Sequence, residues 1–150
     1  MRAVIQRVSE ASVSIENKIV SKINFGLLIF LGIEIEDTKE DSLWLANKIV
    51  QLRIFSDSEA KMNNSLLDID AEVIVVSQFT LHAKTKKGNR PSYINAARPE
   101  QAIPLYEQFK KDLSKLISKQ VLSGEFGADM KVNLTNDEPV TIIIDTKNKE

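Results

Sequence analysis

Two short stretches carry residue types able to do chemistry. Ser77-Gln78-Phe79-Thr80 lines up a hydroxyl, an amide, an aromatic ring and a second hydroxyl at the end of an apolar run. Thr80 can act as nucleophile or donor, Gln78 can orient an ester and Phe79 can stack on a base, although the same residue types also build ordinary turns. The second stretch, "NLTNDEPVTIII" from Asn133 to Ile144, reads as a strand broken by Pro139 behind two acids. A proline there removes a ladder donor and belongs at an edge, a bulge or a loop.

What is missing prunes the chemistry further. His82 is the only histidine and there is no cysteine, which removes thiolate nucleophiles, disulfides and Cys-ligated zinc. There is no H-E-x-x-H, no G-x-S-x-G and no G-x-x-x-x-G-K-[ST], so no metal site, hydrolase elbow or phosphate loop is expected. A Ser-His-Asp triad would have to use His82, and a lone histidine beside a basic loop reads as a surface residue. That loop gathers Lys84, Lys86, Lys87 and Arg90 around Gly88, with Tyr93 adjoining. It is either a solvated loop or a rim that meets an RNA backbone without sequence specificity.

The elements that position these residues follow from periodicity. Residues 2–23 are rich in Val and Ile, alternate at Ser12-Val13-Ser14-Ile15 and predict two or three strands with a turn at Asn17-Lys18. "GLLIFLGI", Gly26 to Ile33, is apolar on both faces and predicts a buried strand. Thr38 and Asp41 have capping-box spacing ahead of Leu43, Ala46, Ile49 and Val50, predicting a helix from about Lys39 to Leu52. "LRIF" and "AEVIVVSQFTL" read as strands, and the segment between them as turns. Leu105, Phe109, Leu113, Leu116 and Ile117 mark the longest helix, with Pro104 placing its regular start near Ile103. After a glycine-bearing turn come "MKVNL", "VTIIID" and a tail, "TKNKE", expected to fray.

With 150 residues, 43% of them hydrophobic and 27% charged, the chain predicts one α+β domain with about two helices and more strands than helices. The formal charge of −1 implies no bulk attraction to nucleic acid or an anionic membrane, so such a contact must be local. The longest apolar run falls well short of the roughly 20 residues a membrane helix needs, and the N-terminus has no apolar core of a signal peptide. A reducing, cytoplasmic setting is the expectation.

From end to end the chain resembles the D-aminoacyl-tRNA deacylase (D-tyrosyl-tRNA deacylase) family. The resemblance is carried in order by "MRAVIQRV", "GLLIFLGI", "LANKIVQLRIF", "KMNNSL", "VVSQFTL", "KGNRPSY", "AARPEQA", "LYEQF", "GEFGADMKVNL" and "PVT". The family's S-Q-x-T motif corresponds to Ser77-Gln78-Phe79-Thr80, and its N-x-G-P-V-T motif to Asn136 through Thr141. The resemblance implies one deacylase domain over residues 1–150, with a mixed, largely antiparallel sheet, working as a homodimer. It implies hydrolysis of D-aminoacyl-tRNA to free D-amino acid and tRNA, and of glycyl-tRNA misacylated on a non-cognate tRNA, with no cofactor, no membrane partner and no DNA partner.

The resemblance also implies roles for residues. Ser77, Gln78, Phe79 and Thr80 line the pocket for the terminal adenosine, the Phe79 and Thr80 amides stabilise an oxyanion, and the ribose 2′-hydroxyl assists attack. The dipeptide ending in Pro139 carries a cis bond in the family and enters the partner subunit's site, where its carbonyls hold the substrate ammonium and exclude L side chains. Arg7 braces that dipeptide, Phe126 and Met130 line the pocket, and Lys84, Lys86, Lys87 and Arg90 contact tRNA. One residue departs: Glu138 stands where the family pattern has glycine. Either the dipeptide keeps its geometry with this side chain turned outward, which is the expectation since the flanking residues agree, or the filter changes and chirality relaxes. The alternative from another class is a noncatalytic module binding RNA ends or D-amino acids.

Overall fold

In the computed structural model, which describes residues 1–150, strand β1 (Arg2–Ile15) is the spine of the sheet. One edge of β1 pairs antiparallel first with β3 (Gly26–Gly32) and then with β2 (Lys18–Ile23). The last strand, Met130–Asp145, runs antiparallel along the other edge for the full length of β1. Strand β6 (Glu72–Ser77) lies parallel to β3, and β7 (Leu122–Ser123) parallel to β6. A small hairpin of β4 (Phe55–Ser56) and β5 (Met62–Asn64) stands apart, and the Met130–Asp145 strand is β8. The Ser21 hydroxyl donates to the Ser123 carbonyl at 2.5 Å, joining β2 to β7 so that the sheet curls toward a barrel.

Two cores follow from the alternation of side chains across the strands. Ala3, Ile5, Leu27, Ile29, Leu31, Val73 and Val75 meet the helices α1 (Lys39–Gln51) and α2 (Pro99–Ile117). Val8, Val13, Ile23, Leu28, Ile74 and Val76 fill the inside of the curl. Strand β3 contributes to both, as its two-sided apolar run predicts. Asp41 accepts from the Thr38 amide at 2.9 Å and the Thr38 hydroxyl at 3.1 Å, which starts α1 where the capping-box spacing places it. The helices are joined by the Ser42 hydroxyl donating to Asp112 at 3.1 Å. The fold is the expected α+β domain with two helices and a mixed sheet, and neither helix is long and apolar enough to cross a membrane.

Several local expectations give way. Helix α2 begins at Pro99 rather than near Ile103, and Pro104 lies inside it. Pro99 fits the first turn, where no N–H partner is needed, and the Ala102 amide bonds the Arg98 carbonyl at 2.8 Å. The run through "SQFTL" leaves the strand at Ser77 and tightens into a 3₁₀ turn, Phe79–His82. "MKVNL" and "VTIIID" are a single strand with an excursion around Pro139. The C-terminal tail is pinned: the Thr146 amide bonds the Met1 carbonyl at 2.9 Å, and Lys147 pairs with Asp41 at 2.9 Å. His82 is buried, only 3% exposed, where a surface residue was expected.

Candidate active site

The site is built where β6 ends. The Gln78 amide extends the ladder by one bond to the Leu31 carbonyl at 2.8 Å, and the chain then turns through Phe79–His82. The first N–H groups of such a turn, here those of Phe79 and Thr80, have no partner inside it. His82 anchors the turn from below. Gly32 on β3 lets it lie close, because a Cβ there would stand 2.9 Å from the Gln78 carbonyl oxygen and 3.1 Å from the His82 ring.

Above the turn the Phe79 side chain is 54% exposed and meets Tyr93 edge to face at 5.0 Å. Phe79 and Phe126 together separate two clefts. One is lined by Ser77, Gln78, Phe79, Phe126 and Met130. The other is lined by Phe79, Phe126, Tyr93, Ile94, Ile35 and Arg98. Phe126 is held edge to face on Tyr106 at 5.8 Å, and the Tyr106 hydroxyl donates to the Val75 carbonyl at 2.9 Å. Burial pushes the Tyr106 hydroxyl up to about 12, so it stays protonated as a structural donor.

No nucleophile–base pair is present. The Thr80 hydroxyl accepts a hydrogen bond from the Gln78 side-chain amide, which removes no proton from it. The imidazole Nε2 of His82 is buried without a partner, so it does not address a hydroxyl either. A general base must lie within hydrogen-bond reach of the proton it takes. No cluster of three or more His, Asp or Glu side chains is arranged to hold a metal ion.

The structure therefore brings Ser77, Gln78, Phe79, Phe126 and Met130 into one cleft, with Thr80 in the adjoining turn. Arg7, Glu138 and Pro139 lie elsewhere. Arg7 is opposite Leu27, which is opposite Val73, whereas Ser77 is opposite Leu31. That is four residues along the strand (77 − 73) and three strands across to β8, roughly 19 Å from strand spacings. The loop at Pro139 of one chain is thus remote from the same chain's Phe79 turn.

At that remote corner Gln6 pairs with Thr141 and Val8 with Asn136, so residues 137–140 bulge opposite Arg7 alone. Arg7 is 1% exposed; its Nη1 donates to the Ile54 carbonyl at 2.6 Å. Its Nε and Nη2 lie 2.9 Å from Asp137 and 2.6 Å from Glu138, ion-pair distances reached off the N–H axes. Glu138 has φ +83 and its side chain folds back onto Arg7 instead of turning away. The Glu138–Pro139 bond is trans, as is every peptide bond in the chain, so the cis geometry implied by the resemblance is not found.

The basic segment forms a loop pinched at its base by paired Lys84 and Ser92 bonds of 2.8 and 3.0 Å. Lys84, Lys86, Lys87 and Arg90 are exposed, and the loop leads directly into Tyr93. Sequence reasoning missed Ile94, Arg98 and Gly32 as parts of this neighbourhood. An exposed "YI" pair in an otherwise polar loop was the available signal.

The candidate site is thus a strand-end turn whose first amides have no partner within it, beside an exposed aromatic ring and with no activated side chain. A family model described as "D-Tyr-tRNA(Tyr) deacylase" matches residues 4–145. The chain is 63% identical over 150 residues to the D-aminoacyl-tRNA deacylase of Bacteroides fragilis strain YCH46, and 63% identical to that of Flavobacterium psychrophilum, with 100% of each chain covered. A solved structure described as "c-Myc DNA Unwinding Element Binding Protein" superposes with a TM-score of 0.91 at 39% identity, covering 97% of this chain and 98% of that one. Another, described as a probable eukaryotic D-amino acid tRNA deacylase, shares the fold with a TM-score of 0.83 at 16% identity, over 95% and 97% of the two chains. The chain belongs to the D-aminoacyl-tRNA deacylase family, hydrolases acting on the aminoacyl-tRNA ester.

Proposed function

We propose that this protein hydrolyses the ester of D-aminoacyl-tRNA in the cytoplasm, and that of glycyl-tRNA carried on a non-cognate tRNA, as a homodimer with shared sites. The terminal adenosine enters the cleft of Ser77, Gln78, Phe79, Phe126 and Met130, with its base against an aromatic ring. Water, assisted by the ribose 2′-hydroxyl, adds to the ester carbonyl. The Phe79 and Thr80 amides receive the oxyanion, and collapse expels the 3′-oxygen, which regains a proton as the D-amino acid leaves. Exposed Lys84, Lys86, Lys87 and Arg90 follow the tRNA backbone.

The observation that carries the reading is the absence of an activated nucleophile beside a turn that offers free amides. Sharing between subunits is supported by the separation of the Pro139 loop from the same chain's Phe79 turn, which a second copy can bridge. The Pro139 loop then supplies the chirality filter. The 39% identical neighbour is named for binding DNA, and the basic loop would suit either polymer. RNA is preferred because the reaction draws on a 2′-hydroxyl.

The experiment is hydrolysis of matched D-tyrosyl-tRNA and L-tyrosyl-tRNA by the purified protein. Loss of the D ester alone is expected. Loss of both means relaxed chirality, and loss of neither makes the protein a binding module.

A further inference from the structure

We infer that Glu138 is a positioning residue: through the buried Arg7 it holds the Pro139 loop in a left-handed turn that its own side chain would otherwise disfavour. Residues 137–140 bulge away from the ladder opposite one residue of β1, so pairing alone does not fix them. Glu138 and Pro139 are exposed, and only Val140 packs against the core. The attachment is polar. The three guanidinium nitrogens of Arg7 each take one partner, the Ile54 carbonyl, Asp137 and Glu138.

The second acid is not needed for charge balance. A buried guanidinium requires one counter-charge, and Asp137 already supplies it at 2.9 Å. Glu138 makes the cluster net negative while occupying φ +83, a conformation that costs any residue with a Cβ and costs glycine nothing. Its contact with Nη2 at 2.6 Å offsets that backbone cost. The ion pair thus does for this loop what a glycine does by torsional freedom, and adds a fixed direction because Arg7 is itself anchored on Ile54.

The inference rests on the proposed function for its catalytic readout and has a second readout that does not. Glu138→Ala keeps the Cβ and loses the ion pair; Glu138→Gly loses both. Hydrogen exchange at the amides of Asn136, Asp137, residue 138, Val140 and Thr141 is expected to be at least about fivefold faster in the alanine variant than in the glycine variant. The D-to-L ratio of kcat/KM on tyrosyl-tRNA is expected to follow the same order, with wild type highest. Arg7→Lys, which keeps the charge and loses the fork, should match Glu138→Ala, and the double variant should add little. Equal exchange in the alanine variant and wild type overturns the inference, as does a glycine variant no better than alanine. A wild type inactive on D-tyrosyl-tRNA would instead sink the proposed function and leave the exchange comparison to decide this one.

Discussion

Replacing Thr80 by alanine separates the two ways in which the strand-end turn can break an ester. Its hydroxyl is engaged by the Gln78 side chain, and its amide belongs to the start of the Phe79–His82 turn. Alanine removes the hydroxyl and leaves the amide. One neutral hydrogen bond is worth about 0.5–1.5 kcal/mol, and the freed Gln78 amide is half-exposed, so water can replace the lost acceptor. Converted at about 1.4 kcal/mol per decade, the expected loss in kcat/KM is between about twofold and tenfold. A nucleophile would give a different scale, because its removal leaves only what binding and oxyanion donors contribute, typically a loss above about 10⁴-fold. The assay is single-turnover decay of D-tyrosyl-tRNA, with circular dichroism and binding of uncharged tRNA to confirm fold and affinity. Activity within tenfold of wild type supports catalysis by the backbone and the ribose. Loss beyond 10³-fold with fold and binding intact refutes it.

Two further predictions address the pocket wall and the tail. Gly124→Ala places a Cβ against the Met130 sulfur and 3.3 Å from Val13, so the flexible Met130, which lines the cleft, must shift from its place there. KM for D-tyrosyl-tRNA should rise several-fold with kcat nearly unchanged, and unaltered KM would place Met130 outside the binding surface. At Asp41, burial raises the carboxyl, but hydrogen bonds from Lys147, Thr38 and Thr146 outweigh it and hold it at about 2, against an ordinary 3.8. A depressed carboxylate contributes stability that is full above pH 3.8 and lost as pH falls toward 2. After allowance for solvent screening the loss is on the order of 1 kcal/mol. Urea titrations at pH 5 and pH 2.5 should show a decrement that is smaller in Asp41→Asn than in wild type by about that amount; equal decrements would remove Asp41 from the account.

What the sequence made legible depended on how local the determinant was. The capping box of Thr38 and Asp41 and the two-sided apolar run of β3 are encoded within a few residues, and both appear as read. The residues after Ser77 have strand-like apolarity and so predict a continued strand where the structure has a turn. What bends it is tertiary: a glycine on the neighbouring strand and a buried imidazole beneath it. The pinned tail is illegible for the same reason, since its holding partners, Met1 and Asp41, lie far away in the chain. Pro104 does not delay α2, because the helix is secured by burial of Leu105, Tyr106, Phe109 and Leu113 despite one missing amide. Of the site, residue types alone left Thr80 and Phe79 open between turn and chemistry. Their grouping with Phe126 and Met130 comes only from family resemblance; in the structure Phe79 shares a cleft with Phe126 and Met130, and Thr80 stands in the adjoining turn. The ion pair of Glu138 with Arg7 is legible in neither, because it depends on a register shift between β1 and β8.

The most direct test of the shared site is complementation between two defective subunits. Met130→Trp should fill the cleft and leave the Pro139 loop intact, while deletion of Glu138 and Pro139 should spoil the loop and leave the cleft. Each protein alone should hydrolyse D-tyrosyl-tRNA negligibly. After unfolding and refolding together in equal amounts, half of the dimers are mixed and each holds one sound site, so about a quarter of the wild-type rate is predicted. A mixture as inactive as its parents, with mixed dimers verified by mass spectrometry, would contradict the shared site.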